Sequence, residues 1–281
     1  QCAAMGLKPD WFCQTGVHGQ CIGKLRRELL DELLIDYDIP LVCVPSHDTA
    51  SAVLGVPCTD DEFLFVSSGT WALIGAQCKE PIISEKALRN RLTNELGGFG
   101  YITLLKNATG MFVTQRLKKE YERENGPVSW DDFFALGRTL PGEAPLFDVN
   151  DPAFFNPPHM ASAIWARIRP GVGGSHDWAL ILAAVEASMA DSYVKGLHAV
   201  MDCTGRRYGA VHIVGGGAKN AVINQKCADL LGLPVVACTQ ECASIGNSAA
   251  QLSYLEPDLS YMALRAIIAD SLPTKIYRPG A

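Results

Sequence analysis

Residues 210–236 read AVHIVGGGAKNAVINQKCADLLGLPVV, and this stretch decides the fold. A short run rich in valine and isoleucine breaks into three consecutive glycines. Apolar residues then resume at helical spacing at Val222, Ile223, Cys227, Leu230 and Leu231, before a second valine-rich run. The pattern predicts strand, glycine turn, helix, strand. Glycine costs about 0.5–1 kcal/mol relative to alanine inside regular structure, so Gly215, Gly216 and Gly217 imply a close approach to the backbone at the turn. Free N–H groups and the positive dipole end at the start of the following helix suit an anion or a ribose. A tight strand-to-helix connection with no ligand explains the glycines equally well.

Around this unit the chain has 281 residues, enough for one large or two ordinary domains. Hydrophobic residues make up 48% and charged residues 19%, which excludes a disordered chain and supplies a central sheet covered by helices. The formal net charge is -6 and the 24 Lys and Arg are scattered, so no basic stripe points to nucleic acid. Ten cysteines form no CxxC pair, and several sit inside apolar runs. They read as small core residues in a reduced cytosol, with no metal site. No leader and no apolar run near the ~18 residues of a membrane helix is present, so a cytoplasmic protein with no membrane partner is expected. The chain starts at Gln1 and its first strand-like run comes only at residues 40–45, so an absent beginning is expected.

In chain order, residues 1–23 are turn-rich, and 24–38 (KLRRELLDELLIDYD) predict an amphipathic helix with Leu25, Leu29, Leu30 and Leu33 on its apolar side. PLVCVPSHDTASAVLGVP (40–57) predicts a buried strand leading into a helix. Ligands of α/β proteins collect at the carboxyl ends of strands, which places Asp48 as a base; helix capping is the equal alternative. His47 reads as its hydrogen-bonded support. FLFVSSGT and WALIGAQC (63–78) predict a hairpin through Ser67, Ser68, Gly69 and Thr70, whose hydroxyls either hold phosphate or merely form the turn. NELGGFG (94–100) predicts another turn, YITLLK a strand, and 107–124 a helix with Asn107 and Gln115 on one side. Helices follow at 130–140, 159–168 and 177–201, the last burying Leu180, Ala184, Val185, Ala187 and Ser188. Residues 239–255 start as a turn and become a helix rich in small residues. Gly246 inside that helix costs about 1 kcal/mol against alanine and so implies close packing. A last helix begins after Ser260.

The succession SHDTASAV, SSGTWALIG, LKNATGMFVTQ, FDVNDPAFFNP, HIVGGGAKN with CADLLGLPVV, then ECASIGNSAAQ resembles the carboxyl-terminal part of the FGGY-type sugar kinases, most closely their rhamnulokinase branch. The likeness runs from residue 5 to residue 277. It implies an α/β fold of the actin-like ATPase (ribonuclease H-like) type, a mixed central sheet with helices on both faces. By this resemblance, residues 1–58 would end the sugar-side domain carrying the catalytic Asp, and residues 59–281 would form the nucleotide-binding domain. Asp48 corresponds to the base that deprotonates the sugar hydroxyl, with His47 and Thr49 touching the sugar. Gly69, Thr70, Asn107, Gln115, Gly215, Gly216, Gly217 and Asn220 correspond to contacts with ATP, and Mg²⁺ is the implied cofactor. The family's amino-terminal half has no counterpart here. The expectation is therefore weak nucleotide binding by this chain, and no useful sugar phosphorylation without that half. A non-catalytic nucleotide-binding or oligomerisation module is the competing expectation.

Overall fold

A computed structural model describes residues 3–139, 142–172 and 176–280. Its centre is a seven-stranded sheet in the order β5-β6-β4-β3-β7-β8-β9. The strands are β3 (Leu64–Ser68), β4 (Trp71–Cys78), β5 (Thr93–Leu96), β6 (Ile102–Thr109), β7 (Val211–Val214), β8 (Val235–Ala237) and β9 (Lys275–Tyr277). The meander β3, β4, β6, β5 is antiparallel, β3, β7 and β8 run parallel, and β9 returns antiparallel. This is the expected mixed sheet with helices on both faces.

Alternation along the buried strands builds the two layers. Leu64 and Val66 point to one face, where they share a core with Ile74, Leu104 and Ile213 beneath the helix α7 (Trp178–Thr204). Phe63, Phe65 and Leu105 point to the other, beneath α2 (Asp48–Leu54) and α9 (Cys242–Leu255). Strands buried on both faces carry continuous apolar runs, which is why their sequences show no polar alternation. Residues 210–236 fold as read: β7, a single 3-10 turn at Gly216–Lys219, α8 (Ala221–Leu231) and β8. Ile223 and Cys227 are buried, whereas Leu230 is exposed.

Several expectations are corrected. Residues 24–38 contain only a short helix, α1 (Arg27–Glu32), which buries Leu30 alone; Leu34 at φ 56 follows its end. Lys24 instead ends a strand, β1 (Cys21–Lys24), which pairs with β2 (Pro40–Val42) in a separate two-stranded sheet. β2 is thus neither buried nor part of the central sheet. Residues 94–96 belong to β5 rather than to a turn. Asn107 lies on β6, because the strand runs on to Thr109, and the helix α4 (Phe112–Asn125) begins after it. The helix expected at 130–140 is α5 (Trp130–Arg138); Leu140 lies outside the described residues. Between α5 and α7 lies α6 (Met160–Ile168). Of the described cysteines, Cys58, Cys78, Cys227, Cys238 and Cys242 are buried and Cys13 is exposed. No described helix is long and apolar enough to cross a membrane.

α2 and α9 touch through their backbones. A Cβ on Gly246 would lie 1.8 Å from the Ser51 carbonyl oxygen, and one on Gly55 would lie 2.1 Å from that of Cys242. Arg265, on α10 (Tyr261–Ser271), closes the far end of α2. Fully buried, it donates from Nε to the Cys58 carbonyl at 2.9 Å and from Nη1 to those of Leu54 at 3.1 Å and Val53 at 3.3 Å, with its guanidinium 4.5 Å from the Phe63 ring centre. A cation there complements the carbonyl end of the helix. Because neither backbone can retreat, Gly246→Ala is expected to destabilise the fold by about 3 kcal/mol. Urea unfolding reads this as a lower midpoint at unchanged slope, and an unchanged midpoint would refute the contact.

Candidate active site

α2 begins where the chain leaves the small sheet, and its first residue is Asp48. His47, not Asp48, is the capping position, and its side chain makes no cap hydrogen bond. Asp48 is therefore free to project, with 86% of its side chain exposed. Its Oδ1 accepts the Thr49 backbone N–H at 2.7 Å, which leaves Oδ2 for another proton donor. His47 stands between two carboxylates: its Nε2 lies 3.6 Å from Asp48 Oδ1 and its Nδ1 lies 3.4 Å from Glu95 Oε2. Glu95, on β5, was invisible in the sequence, where NEL read as the start of a turn. Only its pairing opposite Thr103 carries it to this place.

Across from α2 are two chain reversals. Gly69 and Thr70 join β3 to β4, and the reversal is pinned from behind as Met111 and Phe112 donate N–H to the Gly69 and Thr70 carbonyls at 2.8 and 3.1 Å. The three glycines after β7 do three different things. Gly215 takes φ +81, a conformation that a Cβ penalises. Gly217 lies so near Ser68 that a Cβ would sit 1.9 Å from Ser68 Oγ, so its close neighbour is the protein itself. A Cβ on Gly216 would stand in open space, with nothing within 4 Å.

These pieces surround one cleft of about 690 Å³. His47, Asp48, Thr49, Gly69, Thr70, Asn107, Gly215 and Gly216 all line it, together with Glu95 and Glu241. Asn107 reaches it from β6, where it pairs with Leu73. Gly217, Gln115 and Asn220 are not among its lining residues. Gln115 is exposed on α4. Asn220 is 2% exposed and is occupied in capping α8: its Oδ1 accepts the Val222 and Ile223 N–H groups at 3.0 Å, and its Nδ2 donates to Glu186 Oε1 at 2.9 Å.

Glu186 thus supports the glycine turn from α7. Burial pushes its carboxyl up to about 7, while the Asn220 amide and then Arg138 and Lys226 act in the opposite direction. Between its ordinary 4.5 and about 7 the folded protein holds a proton that the unfolded chain has released. Stability from this group is therefore full at low pH and declines as pH rises through that window, by about 3 kcal/mol in all. Glu186→Gln should flatten the decline, measured as urea midpoints at about pH 5 and about pH 8. Equal pH slopes in both proteins would contradict the assignment.

The cleft contains carboxylates, the hydroxyls of Thr49, Ser67 and Thr70, an amide and bare backbone at the glycine turn, a set suited to a polar, anionic ligand beside a proton acceptor. No group of three or more His, Cys, Asp or Glu able to hold a metal ion occurs among the described residues. Magnesium bound through substrate phosphates needs only one or two carboxylates, and Asp48, Glu95 and Glu241 border the cleft. The residues present therefore fit a nucleotide with its cation.

Comparison with known proteins gives concordant results. The model of the FGGY family of carbohydrate kinases, C-terminal domain, matches residues 64–254. The rhamnulokinase of Klebsiella pneumoniae (strain 342) is 34% identical over 242 residues, covering 86% of this chain and 49% of that protein. The rhamnulokinase of Bacteroides thetaiotaomicron is 31% identical over 277 residues, covering 98% and 56%. The chain spans about half the length of these curated relatives. Among solved structures, the xylulose kinase from Rhodospirillum rubrum superposes with a TM-score of 0.71 at 17% identity, over 99% of this chain and 55% of that one. The glycerol kinase of Plasmodium falciparum with ADP gives 0.65 at 11% identity, over 94% and 51%. At such identities the structural likeness is one of fold.

Proposed function

Because the chain belongs to the FGGY family of carbohydrate kinases, we propose that it supplies the nucleotide site and the general base for ATP-dependent phosphorylation of a ketose hydroxyl, with rhamnulose the first sugar to test. The observation carrying this reading is that Asp48 and the Gly215–Gly216 backbone line one cleft. In this reading residues 1–58 close the sugar-side domain and residues 59–281 form the nucleotide-binding domain, onto which α2 is docked.

ATP with Mg²⁺ supplies the transferable phosphoryl group and the charge that neutralises it. Phosphoryl transfer then asks the protein mainly for position and for one proton acceptor. Asp48 Oδ2 takes the proton of the attacking hydroxyl, while the Thr49 N–H holds Oδ1 and fixes the carboxylate plane. His47 and Thr49 border the sugar. Gly69 and Thr70 face the phosphates, as do Gly215 and Gly216, and Asn107 reaches toward the same space from β6. Gln115 and Gly217, which the family resemblance also assigns to the nucleotide, lie outside the lining of this cleft, and Asn220 contributes by holding the turn through α8 and Glu186. The sequence likeness to rhamnulokinases supports the choice of sugar.

The test combines the chain with a segment spanning the remaining length of its relatives and presents ATP, Mg²⁺ and a panel of ketoses. Phosphate transfer to rhamnulose ahead of xylulose is the expected result. Transfer to neither would reject the kinase reading, and a preference for xylulose would reject the sugar.

A further inference from the structure

Extending to the α7 side of the sheet lies a second groove of about 930 Å³, whose cations the kinase reading does not use. Three cations from three elements converge on it. Lys106, on β6, pairs across the ladder with Ile74. Gly196 brings α7 so near that strand that a Cβ would lie 2.8 Å from Ile74 Cδ1, which sets the adjacent Lys195 at the same level. Arg91 comes from the connection into β5, two residues before Thr93, which pairs with Leu105 beside Lys106. Two carboxylates also border the groove, and both are engaged. Asp191 is ion-paired with Lys195 at 2.7 Å, and Asp148 Oδ1 accepts the backbone and side-chain amides of Asn150 at 2.9 and 3.3 Å. Among the described residues, no ion pair involves Arg91 or Lys106.

Arg91 is also conformationally out of place. It follows the end of α3 (Glu85–Arg89), where Arg91 N–H donates to the Leu88 carbonyl and Leu92 N–H to that of Ala87. Its φ is 55. A left-handed residue closing a helix in this way is usually glycine, and a side chain there costs about 1 kcal/mol. An arginine held in a glycine conformation on the lining of a groove that also holds an unpaired lysine points from strain to binding. The opposite end of the groove is aromatic: Trp71 and Phe155 meet edge to face at 5.9 Å, and both are about half exposed.

We propose that this groove is a binding site for a small phosphomonoester, its phosphate held by Arg91 and Lys106 and its organic part against Trp71 and Phe155. Three cations against the carboxylates of Asp148 and Asp191 leave the groove with a net positive charge, and the guanidinium fork suits phosphate oxygens. The phosphate-holding residues Arg91 and Lys106 line this groove and not the cleft, whereas Trp71 and Asn107 line both.

Calorimetry of the chain with glucose 6-phosphate at low ionic strength, with glucose as the control, tests the proposal. A saturable heat from the ester alone is expected. Arg91→Gly should weaken it at least about tenfold, the scale of one lost charged hydrogen bond, while leaving the thermal midpoint equal or higher because the helix terminus relaxes. Lys106→Gln should weaken it similarly. Gly216→Val, which alters only the cleft, should leave the heat unchanged. No saturable heat, or a heat lost in Gly216→Val and kept in Arg91→Gly and Lys106→Gln, would overturn the site.

Discussion

Gly216→Val is expected to abolish the calorimetric signal for ATP with Mg²⁺ while leaving the protein folded. The reason lies in the division of labour among the three glycines. A side chain at position 217 would strike Ser68, and one at 215 would be strained at φ +81, so either substitution confounds binding with folding. At Gly216 nothing lies within 4 Å of where a Cβ would be. A valine there fills space on the cleft side of the turn without displacing protein, and excludes a ribose or phosphate from contact with the backbone. Affinity should drop by at least about a hundredfold, equivalent to roughly 3 kcal/mol. Equal heats from variant and parent, at equal thermal midpoints, would detach the nucleotide from the glycine turn.

Asp48→Asn should lower the turnover of the assembled kinase by about 10²–10⁴-fold, the usual contribution of a positioned base. The amide is nearly isosteric, its oxygen can still accept the Thr49 N–H, and the side chain is exposed, so neither fold nor sugar affinity should move appreciably. The loss should fall on kcat with KM little changed, since the proton acceptor matters chiefly in the transition state. Turnover surviving in the variant would retire Asp48 and direct attention to Glu95, the other carboxylate beside His47.

The parts legible in the sequence were those fixed by local pattern. Valine-rich runs around a glycine break gave β7, the turn, α8 and β8, and the doublet at 63–78 gave the β3–β4 hairpin. Six motifs in order gave the family. What escaped was set by distant partners. β1, β5 and β9 are strands of three or four residues at sheet edges, too short to show a period, and each exists because another strand lies beside it. Asn107 read as the start of a helix because KNAT is polar after an apolar run, yet eight residues of β6 stay in register with β4 from Ile102 to Thr109. Glu95 came with β5 and was missed with it. Asn220 shows the converse case, since its place before a helix fits a cap and a ligand contact alike, and only the buried Glu186 behind it reveals how its amide is spent.

The glycine seam between α2 and α9 has a consequence for motion. Asp48 begins a helix clamped by backbone contact along its side and by Arg265 at its far end, so it is bolted to the same rigid block as the triple-glycine corner. Were a second lobe to swing over the cleft, it would deliver an alcohol to a proton acceptor and a phosphate already standing at fixed separation. On the proposed kinase reading, the separation between base and phosphate would then be a property of this block alone, and closure would set only when the alcohol arrives.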